Sequence, residues 1–245
     1  MPTIENSLLA AVSRGAYRKL LPGLRHVALD FGDVLYELDG AIHEVYFPGD
    51  CLVSLLAKVD GHHALEVGMV GREGMVGVPL ALGIATSPVR AVVQGGGVAA
   101  RMSRARFLSA MASTPTLRRE VNGYIHGLMG QITATAVCNR FHVVEGRLAR
   151  WLLMTRDRAR SGDFQMTHEY LATMLGVRRE GVTVAASAFQ RQMLIEYRRG
   201  HIRILDHAGL EAASCSCYRS AATGPGSIAA WRPAPSRAPR AGLRS

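Results

Sequence analysis

Apolar and polar positions alternate with a short period through the first hundred residues. Val27-Ala-Leu-Asp-Phe31 and Val34-Leu-Tyr36 are split by Gly32-Asp33, and Glu44-Val-Tyr-Phe47 runs into Pro48-Gly49-Asp50. Cys51 to Val59 meets Asp60-Gly61 before Ala64-Leu-Glu-Val67, and Val89 to Gln94 is parted from Val98 to Met102 by three glycines. An Asp-Gly pair between apolar runs signals a hairpin, because the turn needs positive φ and glycine adopts it without steric cost. Closely spaced short strands of this kind predict an antiparallel barrel or sandwich. Gly68, Gly71, Gly74 and Gly77 recur every third residue and read as turns.

The period changes near Ser103, which stands where it can cap a short helix to Met111. Thr114-Pro115 then supplies a cap followed by proline at the first helical position, where its missing N–H costs nothing. From there Val121, Ile125, Leu128, Ile132, Thr135 and Asn139 advance by alternating steps of four and three. That spacing is a coiled-coil seam, which must pack either on its own barrel or on a second copy; a second copy is the expected partner, with Val121, Ile125, Leu128, Ile132 and Thr135 as the homodimer interface. A second helix is predicted over Phe141 to Ala159, with Val144, Leu148, Trp151 and Leu152 on one face. The boundaries that follow are 1–113 for the strand-rich domain, 114–141 for the long helix and 142–218 for the second domain. Residues 219–245 hold Pro, Ala, Gly, Ser and Arg with little to bury, and are expected to be a disordered tail.

Composition narrows the function classes. Over 245 residues, 48% apolar and 20% charged side chains describe a globular chain. Its net charge of +10 is unevenly placed. Residues 1–139 carry 12 basic and 11 acidic groups, residues 140–206 carry 12 and 7, and residues 219–245 carry five arginines and no acid. Such asymmetry points to an acidic polymer as the second half's partner, most simply nucleic acid. The N-terminus lacks the apolar stretch of a secretory signal, and no apolar run approaches the roughly 18 residues of a membrane span. A cytoplasmic location is expected. Phosphate-loop, Gly-x-Ser-x-Gly and His-Glu-x-x-His motifs do not occur, so no enzyme is expected.

The segment from Gln165 to Phe189 carries the functional signal. Thr167 can cap a first helix, with Glu169 in its opening turn where the helix dipole favours an acid. Leu171 and Leu175 face inward, Ala172 is small where two helices would cross, and Gly176 suits a left-handed turn. Val177, Val182 and Ala185 are the apolar positions of a second helix. Together these make a helix-turn-helix, whose second helix enters the DNA major groove by its N-terminal residues. Arg178, Arg179, Glu180 and Thr183 are the residues expected there, since Arg matches guanine O6 and N7 and Glu accepts from cytosine N4. Leu194 to Tyr197 and His201 to Leu205 flank Arg198-Arg199-Gly200, a hairpin whose arginines can reach phosphates, as can Thr167 and His168.

The order of strand-rich domain, long helix and winged helix-turn-helix resembles the Crp/Fnr family of bacterial transcription regulators over about residues 8–218. The most specific residues are Arg179-Glu180 and the framework Leu171-Ala172, Leu175-Gly176-Val177. The resemblance implies an α+β fold: an N-terminal cyclic-nucleotide-binding-like antiparallel β-roll, a dimerisation helix and a C-terminal winged helix-turn-helix. It also implies a homodimer on an inverted-repeat operator in double-stranded DNA, with RNA polymerase as a further partner. Family members often carry a second Arg one turn after the Glu; here Val184 stands there, which implies a departure from the commonest half-site.

Nucleotide-binding members hold phosphate and ribose with a Gly-Glu pair and, further on, an Arg followed by a small residue. Arg90-Ala91 fits the second half and makes Arg90 a weak effector-site candidate, but Leu80 stands where the acid belongs, so no cyclic nucleotide is expected. No cysteine precedes Cys51, so the iron–sulfur cluster of the oxygen-sensing branch is unsupported. Cys215-Ser-Cys217, lacking partners nearby in sequence, is a weak metal or redox signal, and no cofactor or metal is expected. His62-His63 reads as a solvated hairpin tip. The rival reading is a cyclic-nucleotide-binding module acting on a partner protein.

Overall fold

The computed structural model describes residues 5–58, 64–159 and 163–219. The His62-His63 pair and the tail from 220 onward lie outside the described residues. Two short helices, α1 (Ser7–Ala11) and α2 (Arg14–Leu20), precede a roll of two sheets. Strands β1 (Arg25–Leu29), β7 (Gly97–Ser103) and β3 (Glu44–Pro48) form one sheet in that order. Strands β2 (Val34–Tyr36), β6 (Arg90–Gly95), β4 (Leu52–Ala57) and β5 (Leu65–Val70) form the other, and every pairing is antiparallel. A one-turn helix α3 (Val78–Ala81) and α4 (Arg104–Ser113) close the roll. The expected strands are all present; α1 and α2 had no counterpart in the sequence reading.

Beyond the roll, α5 (Pro115–Phe141) leads to α6 (Val144–Ala159), then β8 (Asp163–Gln165), α7 (His168–Leu175), α8 (Arg179–Arg191), β9 (Ile195–Arg198), β10 (His201–Ile204) and α9 (His207–Ala213). Among the described residues, no helix is long and apolar enough to cross a membrane.

The four-stranded sheet is buried on both faces, which is why Leu52–Ala57 is almost continuously apolar rather than alternating. Val53 and Leu55 enter the core of the roll, joined by Leu117, Val121, Tyr124 and Leu128 of α5. Leu52, Leu56 and Met69 enter a second core with Trp151 and Leu152 of α6 and Leu171 and Leu175 of α7. The sheet is therefore a shared wall between the two domains.

Two glycines of the periodic run permit this approach. A Cβ at Gly74 would run into the Tyr124 ring of α5, and one at Gly71 would lie 2.7 Å from Arg158 Cβ of α6. They are contact points for helices as well as turns. Gln131 then fastens α5 to the sheet's edge: its Oε1 accepts from Met69 N–H at 2.7 Å, and its Nε2 donates to Met69 C=O at 3.1 Å.

The expected dimer seam is accordingly divided. Val121 and Leu128 are buried in their own roll, Ile125 packs against it, and the Thr135 hydroxyl donates to the Gln131 carbonyl and accepts from Arg150. Heptad spacing identifies an apolar seam but not its partner, and here the roll takes much of it. Ile132 is 38% exposed and Met129 is 63% exposed, so the free apolar stripe is rotated by about one residue.

A buried polar knot ties the sheet to the second domain. Trp151 Nε1 donates to Glu66 Oε1 at 3.0 Å, and Ser54 Oγ lies 2.5 Å from Glu66 Oε2 while also meeting Gln94 Oε1. One serine proton cannot serve two acceptors. Two arrangements satisfy the knot: a protonated Glu66 donates to Ser54, which then donates to Gln94, or a turned Gln94 carboxamide donates its otherwise unpartnered Nε2 to Ser54, which then donates to Glu66. Burial pushes the Glu66 carboxyl up to about 7, against the opposing pull of Ser54, Trp151, Arg150 and Arg158. At the rim, Arg158 Nε meets Glu73 Oε1 at 2.8 Å.

A carboxyl with a raised pKa binds more protons folded than unfolded, so its contribution to stability falls as pH rises from about 4.5 to about 7. Glu66→Gln is expected to remove that loss, by on the order of 3 kcal/mol at most, as read from urea unfolding. The gain of the variant over wild type must therefore be larger at pH 8 than at pH 5; an equal gain at both would place the carboxyl's ionisation elsewhere.

Candidate nucleic-acid interface

The second domain builds its exposed face from α7, α8 and a three-stranded wing. Thr167 caps α7, its hydroxyl accepting from Tyr170 N–H at 3.1 Å. Gly176 ends that helix at φ +61, and Arg178, in extended conformation, precedes α8. Val182, Ala185, Ala186 and Phe189 are buried, as are Leu171, Ala172 and Leu175 of α7. The opposite face of α8 presents Arg178, Arg179, Glu180, Thr183 and Val184, all exposed, from its first two turns.

Arg178, Arg179, Glu180 and Thr183 thus form one surface, with Thr167 nearby on α7. Free guanidinium and carboxylate groups at a helix start can reach into a groove while the backbone stays outside it. Thr183 is held from two sides: its hydroxyl donates to the Arg179 carbonyl at 3.1 Å and lies 3.0 Å from His168 Nδ1.

His168 has a different position from the one expected. Its ring stacks on Tyr197 with centroids 4.2 Å apart, Nδ1 faces Thr183, and Nε2 is buried without a hydrogen-bond partner. Nε2 is thus closed to solvent, and Nδ1 is engaged by the Thr183 hydroxyl. Desolvation, then the nearby Arg179, lower its pKa, so the neutral ring joins α7, α8 and the wing. A histidine at a helix start is equally suited to both roles in sequence; only the stacking partner distinguishes them.

In the wing, β8, β10 and β9 lie in that order, and the β9–β10 turn runs through Arg199 at φ +49 and Gly200 at φ +83. Two positive-φ residues make the tight turn that matches strand twist, and leave Arg198 and Arg199 exposed at the tip. The sequence reading missed β8. Its three residues bury only Phe164, too brief an alternation to register as a strand. Pairing with β10 brings exposed Gln165 beside the same surface.

In the roll, Arg90 is ion-paired to Glu37 at 2.9 Å. Leu80 is 2% exposed, an apolar core residue of α3. Elsewhere, the chain's folding supplies what Cys215 and Cys217 lacked in sequence: Cys138 and His142, from the end of α5, bring their ligating atoms to the same point, all four within 4.8 Å of one another. The expectation of no metal-binding site rested on sequence neighbours alone; the fold adds Cys138 and His142 as neighbours that the sequence does not show.

Residues 146–213 match the family model of the Crp-like helix-turn-helix domain. No curated protein matches the chain in sequence. Among solved structures, FixK2 from Bradyrhizobium japonicum is similar with a TM-score of 0.67 and 14% identity, over 79% of this chain and 98% of that one. The c-di-GMP-responsive global regulator CLP of Xanthomonas campestris is similar at 0.65 and 16%, over 79% of this chain and 100% of that one. A CRP-family transcriptional regulator from Thermus thermophilus is similar at 0.65 and 18%, over 77% and 96%. At such identities the likeness is one of fold.

Two substitutions separate readout from charge. Arg179→Ala is expected to cost about 1–3 kcal/mol on the preferred duplex and to relax one base position, measured by titration against single-base variants. Arg199→Ala is expected to weaken all duplexes alike and to reduce the salt dependence by about one phosphate contact. An Arg199 effect confined to the preferred duplex would refute its phosphate role.

Proposed function

We propose, from the match of residues 146–213 to the Crp-like helix-turn-helix domain and the likeness of fold to Crp/Fnr-family regulators, a sequence-specific DNA-binding regulator that works as a homodimer on an inverted-repeat operator. The observation that carries the proposal is the exposed Arg179–Glu180 pair in the first turn of α8, flanked by the Arg198–Arg199 wing tip. In this reading α8 reads base edges in the major groove, Arg178, Arg179, Glu180 and Thr183 supply the specificity, and Thr167 and the wing hold phosphates. His168 positions Thr183 and Arg179 rather than touching DNA.

The second copy docks along the exposed stripe of α5, through Met129, Ile132, Val137 and Phe141. Two recognition helices related by that axis address half-sites about 34 Å apart, one DNA turn. Control runs from the roll to α8 through the shared sheet: a change in the roll acts on α5 at Gln131–Met69 and on α6 at Glu66–Trp151 and Glu73–Arg158. The buried apolar Leu80, together with the Arg90–Glu37 ion pair, favours a roll that does not take a cyclic nucleotide.

Selection of bound duplexes from a random pool at about 150 mM salt, where non-specific charge binding is much reduced, tests this proposal. Enrichment of an inverted repeat is expected. Equal retention of all sequences by folded protein would overturn it. The paired change Met129→Glu with Ile132→Glu is expected to give a folded monomer by sedimentation and weak binding to the inverted repeat; a dimer that persists would move the interface off α5.

A further inference from the structure

Cys138, His142, Cys215 and Cys217 come from chain segments more than seventy residues apart, yet converge on one point. Cys138 and His142 are four residues apart on the last turn and cap of α5 and so face the same way. Cys215 and Cys217 follow α9. Cys138 Sγ lies 3.3 Å from Cys215 Sγ, and Cys217 Sγ lies 3.6 Å from His142 Nδ1. Cys138 and Cys217 are buried, and Cys215 and His142 are half-buried. All three thiols are free.

From this geometry we propose that the chain binds one zinc ion through Cys138, Cys215, Cys217 and His142, a closed Cys3His site that joins the end of α5 to the last segment of the DNA-binding domain. Zn–S bonds of about 2.3 Å and a Zn–N bond of about 2.1 Å form a tetrahedron whose edges are about 3.8 Å between sulfurs and about 3.6 Å from sulfur to nitrogen. The Cys217–His142 separation already matches the tetrahedral edge and the Cys138–Cys215 separation is about half an ångström short of it, so modest side-chain rotation completes the shell. Binding releases one proton from each of three thiols while histidine ligates as the neutral ring, with no change of oxidation state. Three thiolates and one imidazole suit zinc, whereas an iron–sulfur core would need its thiolates wider apart and is usually held by four cysteines.

The surroundings complement the net charge of −1 that this ligand set carries once zinc is bound. Arg150, whose field acts on all three cysteines, and Arg147 lie beside the site, and the Nε of each is buried without a hydrogen-bond partner. The backbone holds the ligands in place beforehand. Cys215 N–H donates to the Gly146 carbonyl at 3.2 Å, His142 N–H donates to the Cys138 carbonyl at 3.1 Å, and Tyr218 O–H donates to Asp157 at 2.9 Å. A Cβ at Gly146 would stand in ordinary contact with Cys215, at 3.4 Å, which places the first turn of α6 directly against the cluster. The ion lies where α5 hands over to α6, and its presence fixes the angle at that joint.

Metal analysis of the full chain, purified under a non-chelating reductant, tests the site without DNA, so its failure leaves the regulator proposal standing and the reverse also holds. One zinc per chain is expected. Exchange with cobalt(II) is expected to give the visible bands of a tetrahedral ion and near-ultraviolet thiolate charge transfer. Cys215→Ser and His142→Ala, each checked for folding by circular dichroism, are expected to weaken zinc binding by more than ~100-fold, beyond the loss that follows removal of an outer-shell partner. If either variant does not fold, the cobalt spectrum of the wild-type chain decides. A chain that retains no zinc and gives no cobalt spectrum, that carries iron with sulfide, or that holds a Cys138–Cys215 disulfide under the same reductant overturns the proposal.

Discussion

The two hydrogen bonds between the Gln131 carboxamide and the Met69 backbone are the constraint on which the rest of the molecule depends. Strand β5 is the edge of its sheet in the described residues, and an edge leaves backbone donors and acceptors in need of partners. A side-chain amide offers one donor and one acceptor with the spacing of a peptide unit, so Gln131 completes that edge as a neighbouring strand would. Because it projects from the middle of α5, the same contact fixes the long helix against the roll. Everything downstream, from α6 to the exposed start of α8, takes its orientation from that placement.

The shared sheet extends this constraint to the second domain. Leu52 and Leu56 project to one side of β4 while Val53 and Leu55 project to the other, so both cores meet across a single strand thickness. A packed interior transmits displacement because it holds little free volume to absorb it. The Glu66 knot adds directionality: it is satisfied only when Trp151 and Ser54 are both in place, and a buried polar group left unpaired costs about 1–3 kcal/mol. The domains are thus joined by geometry-specific contacts rather than by apolar area alone.

Much of the architecture was legible in the sequence because local rules and tertiary demands agree. Gly176 adopts the positive φ for which it was singled out, Thr167 caps its helix as read, and Arg179 and Glu180 emerge on the exposed face of α8. What escaped the reading depends on partners distant in the chain. The seam of α5 was visible as a periodicity, but whether Leu128 meets a roll or a second copy is decided by Gly68 and Leu55, which lie far upstream. Glu66 reads as an ordinary polar position on an alternating strand; its buried partners Ser54 and Trp151 are brought to it only by the fold. Cys138 and His142 lie more than seventy residues from Cys215, so spacing rules for metal ligands, which are written for nearby pairs, do not connect them.

The most direct measurement is a hydroxyl-radical and guanine-methylation footprint of the full chain on its selected duplex. Two protected major-groove segments are expected, related by a dyad and centred about one helical turn apart, roughly 34 Å. Guanines contacted by Arg179 would be protected in each segment. A single protected segment, or even protection along the whole duplex without a major-groove pattern, would contradict the proposed function.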